Sequence, residues 1–214
     1  MLGRMTATRA AIRILTVDDH PLLREGIAAV IDGQPDMEIV GEASSGAEAI
    51  ERFDKLLPDV TLMDLQMPGV NGIDALKTIR ARHPNARIIV LTTYAGDSQA
   101  LVALKSGAVG YLLKGLLRKE LLDTIRLVHA GKRHVSAEVA SQIALHAGQE
   151  ALSEREIGIL KLIAAGNSNK EIARRLSISE DTVKGHLKTT FSKLGVADRT
   201  EAVTVAMRRG IIGL

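Results

Sequence analysis

The 214 residues are 46% hydrophobic and 25% charged, which excludes a disordered chain and leaves enough apolar material for a sizeable core. With no cysteine, disulfides, thiolate metal sites and cysteine nucleophiles are excluded. The formal net charge is +3 and unevenly spread: residues 1–150 carry 17 Lys/Arg against 18 Asp/Glu, and residues 151–214 carry 11 against 7.

At about 100–200 residues per domain, the length suits one large domain or two small ones. A basic C-terminal part is compatible with nucleic-acid contact, although an excess of this size is also ordinary scatter. No apolar run reaches the roughly 18 residues that a membrane span needs. With two Tyr, two Phe and no Trp, nucleic acid is not expected to be held by aromatic stacking.

Residues 1–11 hold Arg4 and Arg9 but no apolar stretch of signal-peptide length, and read as a short loose tail. Residues 12–17 form an apolar run that ends at Asp18-Asp19, a predicted strand. Leu22, Ile27, Val30 and Ile31 then fall at helical spacing. A second strand is predicted over 37–40 and a helix over 47–56. The third strand, 59–63, ends at Asp64. Residues 66–72 are a loop punctuated by Pro68, Gly69, Asn71 and Gly72, and Ile73, Leu76, Lys77 and Arg80 suit the helix after it. The fourth strand, 87–91, ends at Thr92. A helix over 98–105 stops at Gly107, the fifth strand, 109–113, ends at Lys114, and an amphipathic helix runs over 116–130. Five strands alternating with five helices predict an α/β domain whose parallel sheet is covered on both faces.

From Gly131 the alternation stops. Residues 131–150 read as a linker with a mildly helical middle. Only helical patterns follow. Ser153 and Glu156 form a capping-box pair opening a helix to about 165, and Gly166 breaks it. Ser168 and Glu171 form a second box, opening a short helix to Leu176. Ser179, with Glu180 and Asp181 in the first turn, opens a third that Gly195 ends. A fourth covers about 199–209. The expected domains are therefore 12–130 and 151–214, joined by 131–150.

Ligands of a parallel α/β sheet bind outside the C-terminal ends of its strands. Asp18, Asp19, Asp64, Thr92 and Lys114 all stand at such ends, so their side chains can converge. Three packed carboxylates repel, and take up protons unless a cation is present. An all-oxygen cluster without His or Cys suits a hard cation, most simply Mg²⁺. A lysine and a hydroxyl beside it complete a phosphoryl-binding pocket. Each residue alone has a plainer reading: Asp64 as a turn residue, Lys114 as a solvated lysine, Thr92 as a strand former, Tyr111 as core packing.

Val17-Asp18-Asp19-His20, Leu62-Met63-Asp64-Leu65-Gln66-Met67-Pro68-Gly69, Leu91-Thr92-Thr93 and Gly110-Tyr111-Leu112-Leu113-Lys114 together resemble the receiver domain of bacterial two-component response regulators over roughly residues 12–130. The resemblance implies a doubly wound, flavodoxin-like five-stranded parallel sheet of order 2-1-3-4-5. It implies Asp64 as phosphoryl acceptor, with a sensor histidine kinase as donor. Asp19 would bind Mg²⁺ directly, Asp18 largely through water, and the Gln66 carbonyl would add a ligand. Thr92 and Lys114 would each meet a phosphoryl oxygen, and Tyr111 would be the switch aromatic. Gly115 departs from the proline that many receivers carry there.

In the third C-terminal helix, Val183, Leu187, Phe191 and Leu194 share one face, which is expected to be buried. Gly185, Lys188, Thr189 and Ser192 lie opposite, with Lys184 on a flank. A polar, basic, small-residue face suits DNA phosphates and base edges, and equally suits a solvated helix. Leu152-Ser153-Glu154-Arg155-Glu156, Asn169-Lys170-Glu171-Ile172-Ala173 and Thr182-Val183-Lys184-Gly185-His186-Leu187 resemble the LuxR/NarL-type helix-turn-helix over about 152–212. That implies a second, all-α domain binding double-stranded operator half-sites through Thr182, Lys184, Gly185, Lys188 and Thr189, with Asn169 and Lys170 on backbone phosphates. It also implies dimer contacts on the last helix through Ala202, Val203 and Ala206.

Taken together, the resemblances imply a cytoplasmic transcription factor rather than an enzyme, dimeric when phosphorylated or DNA-bound, whose own chemistry is limited to gain and loss of a phosphoryl group. Phosphorylation would draw Thr92 inward with Tyr111 behind it, and reshape the face over 98–130. This would either release the recognition helix or promote dimerisation. A Mg²⁺-dependent phosphatase and a phosphorylation-independent interaction module remain as alternatives.

Overall fold

Strands rich in β-branched and aliphatic residues, each followed by an amphipathic helix, leave one economical arrangement: a parallel sheet with helices on both faces. The computed structural model has it, and describes residues 11–93, 96–146 and 149–213. The tail expected over residues 1–11 lies, except for Ala11, outside the described residues, as do Tyr94 and Gly148. By internal contacts the chain divides into two units, residues 1–93 with 102–136, and residues 94–101 with 137–214.

In chain order the elements are β1 (Ile12–Val17), α1 (Pro21–Asp32), β2 (Met37–Ala43), α2 (Gly46–Leu56), β3 (Val60–Asp64), α3 (Gly72–Arg82), β4 (Ile88–Thr92), α4 (Asp97–Lys105), β5 (Gly110–Leu113), a 3-10 turn (Lys114–Leu116), α5 (Leu117–His129) and β6 (His134–Val135). The sheet order is β2-β1-β3-β4-β5-β6, with every pairing parallel. The expected order 2-1-3-4-5 holds, but the expected count of five is corrected by β6, which extends the sheet from within the presumed linker. Gly110 and Tyr111 of β5 pair with its two residues, too few to show any alternation.

Side chains alternate across the sheet. On one face Ile12, Ile14, Val60, Leu62, Ile89, Leu91 and Leu112 join Ile27 and Ile31 of α1 and Leu121, Ile125 and Val128 of α5 in one core. The opposite-facing Leu15, Val17, Met63, Ile88 and Val90 are equally buried, as are Ala49 and Phe53 of α2 and Leu76 and Ile79 of α3. Burying each such side chain is worth about 1.5–3 kcal/mol, so both faces stabilise the sheet and fix where its strands end.

The second unit contains α6 (Ala137–His146), α7 (Glu154–Ala164), α8 (Asn169–Leu176), α9 (Glu180–Leu194) and α10 (Arg199–Arg208). Both expected capping boxes are present, at Ser153/Glu156 and Ser168/Glu171. Ser179 caps α9 by accepting from the Thr182 N–H. Between α8 and α9, Ser177 takes φ 53°, and Ile178 N–H donates to the Ala173 carbonyl. That closes α8 and turns the chain straight into α9.

Glu156 does more than cap. It is 4% exposed, and its Oε2 accepts from Ser153 N–H at 2.7 Å and lies 3.1 Å from Lys193 Nζ, which joins α7 to α9. Burial alone would raise its pKa; the Ser153 hydrogen bonds and Lys193 bring it below the ordinary 4.5 instead. The linked stability is therefore present above pH 4.5 and lost as pH falls through the folded value. Glu156→Ala is expected to cost about 1–2 kcal/mol, the scale of a lost cap. Urea titrations of both chains at pH 7 and pH 4 check this, and the difference between them shrinks at the lower pH.

Candidate functional site

Register brings the strand ends level. Val17 pairs with Met63, Asp64 with Leu91, and Thr92 with Leu113. The residues at or just beyond these positions, Asp18, Asp64, Thr92 and Lys114, thus emerge along one sheet edge. Asp18 is held by its own N–H on the Ala43 carbonyl and by Arg24, whose guanidinium donates to the Asp18 carbonyl at 2.6 Å. The Asp18 and Asp64 side chains are almost fully buried. Lys114 Nζ bridges them, 2.7 Å from Asp18 Oδ2 and 2.9 Å from Asp64 Oδ2. Asp64 Oδ1 accepts from the Gln66 N–H at 3.3 Å.

Electrostatics follow from this packing. Burial pushes the Asp64 carboxyl above the ordinary carboxylate range, opposed by Lys114 and reinforced by the Asp18 charge. For Lys114 burial acts downward, but hydrogen bonds to Asp18 and Asp64 more than reverse it and raise its pKa. Thr92 and Tyr111 are both buried. Burial pushes the Tyr111 phenol up to about 12 against the hydrogen bond with Thr92, so the ring stays uncharged.

Lys114 stands beside the carboxylates and supplies one positive charge to Asp18 and Asp64. One expectation about this cluster needs correction: it is not free of histidine. His20 Nδ1 lies 2.9 Å from Asp19 Oδ1 and 3.1 Å from Asp18 Oδ1. One ligand atom from each of Asp18, Asp19, His20 and Asp64 fits within 4.8 Å. Three carboxylates against one ammonium leave two negative charges in excess. The buried oxygens Asp18 Oδ2, Asp19 Oδ1 and Asp64 Oδ2 meet the Lys114 ammonium or the His20 imidazole and no backbone N–H among the described contacts. That donor set fits a divalent cation.

Two glycines hold the neighbouring loop. A Cβ on Gly72 would lie 2.0 Å from the Asp64 carbonyl oxygen, and one on Gly46 would lie 2.3 Å from that of Val70. The Gly72 N–H donates to Leu65 and the Gly46 N–H to Val70, so the chain after Asp64 is pinned at both ends.

In the second unit, Thr182, Lys184, Gly185, Lys188 and Thr189 are all exposed on α9, as is Lys170 on α8, and Asn169 is half-buried. Lys184 pairs with Asp181 at 3.0 Å, and Asn169 Oδ1 accepts from Arg199. The buried face of α9 carries Val183, Leu187 and Leu194 as expected, together with Thr190, whose hydroxyl donates to the His186 carbonyl; Phe191 is only half-buried. The residues expected at a dimer contact stand on α10. Ala202 and Ala206 are fully buried against Leu160, Leu194 and Ile212, and half-buried Val203 packs on the same core. These small side chains let α10 approach its own unit closely.

The described segments match two protein families: residues 14–126 match the response regulator receiver domain, and residues 150–206 match the bacterial regulatory proteins of the luxR family. The chain belongs to the response regulators. Among similar proteins is the transcriptional regulatory protein LiaR of Bacillus subtilis, 41% identical over 94% of this chain and 99% of LiaR. Another is the nitrate/nitrite response regulator NarL of Escherichia coli, 41% identical over 88% of this chain and 92% of NarL. Among solved structures, RcsB, as two dimers bound to two parallel DNAs, is similar with a TM-score of 0.70 and 27% identity over 92% of this chain and 98% of that one. This response regulator therefore joins a receiver to a DNA-binding helix-turn-helix of the luxR type, in a family of transcriptional regulators. No helix among its described residues is long and apolar enough to cross a membrane.

Sequence reading missed His20 as a member of the site, although it directly follows Asp18-Asp19. It also missed Gly46. Gly46 gives no local signal, because its reason is contact with a loop far along the chain.

Proposed function

We propose that this response regulator accepts a phosphoryl group on Asp64 from a phosphohistidine of a sensor kinase, and thereby controls transcription through α9. The receiver is assigned to 12–130, the linker to 131–150 and the DNA-binding domain to 151–214, in the cytoplasm. The observation that carries this reading is the buried Asp64 carboxylate paired with Lys114 beside two further carboxylates at one sheet edge. An Asp64 oxygen attacks phosphorus in line, the donor's P–N bond breaks, and Lys114 neutralises charge on a phosphoryl oxygen. Asp18, Asp19, Asp64 and the Gln66 carbonyl hold Mg²⁺, which supplies further positive charge to the phosphoryl oxygens. Thr92 receives another of those oxygens, and Tyr111 follows Thr92. The protein's self-directed chemistry is confined to this gain and loss of phosphate.

On DNA, Lys184, Lys188 and Thr189 face base edges, with Thr182 beside them, Gly185 allows close backbone approach, and Asn169 and Lys170 meet phosphates. The phosphorylated protein binds paired half-sites as a homodimer. The test is titration of the full chain, with and without beryllofluoride, on DNA sites found by genome-wide mapping. Beryllofluoride is expected to tighten specific binding, and Lys188→Ala to weaken it by about 1–3 kcal/mol. Affinities that neither change moves at moderate salt would overturn the proposed control and the assignment of α9 as reader.

A further inference from the structure

The side chain of His20 is unusual among the residues at the carboxylate edge. It stands at the N-cap position of α1 but makes no capping hydrogen bond. Its backbone is fixed instead. Pro21 follows it and restricts it to extended conformations, and it sits at φ −94°, ψ 107°. Its N–H donates to Asp18 Oδ1 at 2.8 Å, and its carbonyl accepts from Leu23 and Arg24. The imidazole thus leaves a rigid backbone and turns Nδ1 onto the carboxylates of Asp18 and Asp19. Its far side is open, the side chain being 69% exposed.

Distances decide what that nitrogen can do. Ligands on opposite sides of one ion lie about 4.2 Å apart when each bond is about 2.1 Å. The four candidate ligand atoms lie within 4.8 Å of one another, so small adjustments gather all of them on a single ion. An imidazole changes which ion that is. Carboxylates, carbonyls and water suit Mg²⁺, whereas imidazole nitrogen adds affinity along the series from Mn²⁺ to Ni²⁺ and Cu²⁺.

We propose that His20 is a nitrogen ligand of the receiver cation site, shifting its preference from Mg²⁺ toward borderline divalent ions such as Mn²⁺, Co²⁺ and Ni²⁺. This rests on the cation site assigned to Asp18, Asp19 and Asp64. The identity of the bound ion then depends on the metal supply as well as on the carboxylates.

Pulsed electron paramagnetic resonance of Mn²⁺ bound to the full-length protein tests this directly. Coupling to a directly bound imidazole ¹⁴N is expected in the native chain, confined to Mn²⁺ that Mg²⁺ displaces, and lost in His20→Asn. Calorimetric titrations with Mg²⁺ and Ni²⁺ give a second readout. The affinity ratio of Ni²⁺ to Mg²⁺ is expected to fall on the order of tenfold in His20→Asn, with thermal unfolding showing that the variant is folded. Mg²⁺-displaceable Mn²⁺ that lacks ¹⁴N coupling, or an unchanged ratio, overturns the role of His20 and leaves the cation site standing. Failure of the native chain to bind Mg²⁺, or undiminished binding by Asp19→Asn, overturns the cation site and this inference with it.

Discussion

Asp64→Asn is expected to abolish phosphoryl transfer while leaving the receiver folded. The amide has nearly the carboxylate's shape, and its oxygen still accepts the Gln66 N–H. What it lacks is the nucleophilic anion that forms the acyl phosphate. Burial holds the folded pKa of Asp64 above its ordinary 3.8. The associated stability is full below 3.8 and lost as pH rises through the folded value, so the ionised carboxylate weakens the fold at neutral pH. A neutral side chain removes that cost, although the Lys114 ammonium then keeps only the Asp18 carboxylate of the two that it bridges. The two effects oppose each other, and the thermal midpoint is expected to move little. The measurement is transfer of labelled phosphate from a phosphorylated sensor kinase. The native chain acquires an acid-resistant, hydroxylamine-labile label, and the variant does not. A label of the same lability on the variant would remove Asp64 from the acceptor role.

The sheet was legible because its signals are local. Fully buried strands such as Ile88–Thr92 read as continuous apolar runs, and each of Asp18, Asp64, Thr92 and Lys114 ends or follows one. Parallel topology then carries those ends to a common edge, so convergence could be inferred before any distance was known. The helix caps at Ser153, Ser168 and Ser179 were legible for the same reason, since each bonds only three residues away. What escaped depends on contacts distant in sequence or on alternation too short to register. His134–Val135 has two residues and no period. Ala202 and Ala206 present the small, regularly spaced surface of a helix contact, and the pattern is the same whether the partner is another chain or Leu160 and Leu194 of the same unit. His20 was visible as a residue type; whether its imidazole turns toward Asp19 or away depends on a rotamer that spacing does not encode.

Gly72→Ala is expected to unfold or distort the receiver more severely than its size suggests. Gly72 opens α3, where alanine would ordinarily be favoured over glycine by up to about 1 kcal/mol. Here the added methyl would stand 2.0 Å from the Asp64 carbonyl oxygen and 2.8 Å from Leu65 Cα, both backbone atoms that cannot rotate aside. Relief requires α3 or the end of β3 to move. β3 is paired on both sides and fully buried, so the displacement falls on the segment after Asp64. Overpacking of this kind costs about 1–3 kcal/mol and sometimes more. The same shift moves the Gln66 N–H that the Asp64 carboxylate accepts, so phosphoryl acceptance should fall together with stability. Gly26→Ala is the matched control: it adds the same methyl to α1 of the same unit, where nothing lies within 4 Å. It should raise the urea midpoint slightly and leave phosphorylation intact. Were the two variants equally stable, the close approach of Gly72 to Asp64 would not constrain the fold. Were Gly72→Ala destabilised but phosphorylated at the native rate, the acceptor's position would be independent of that contact.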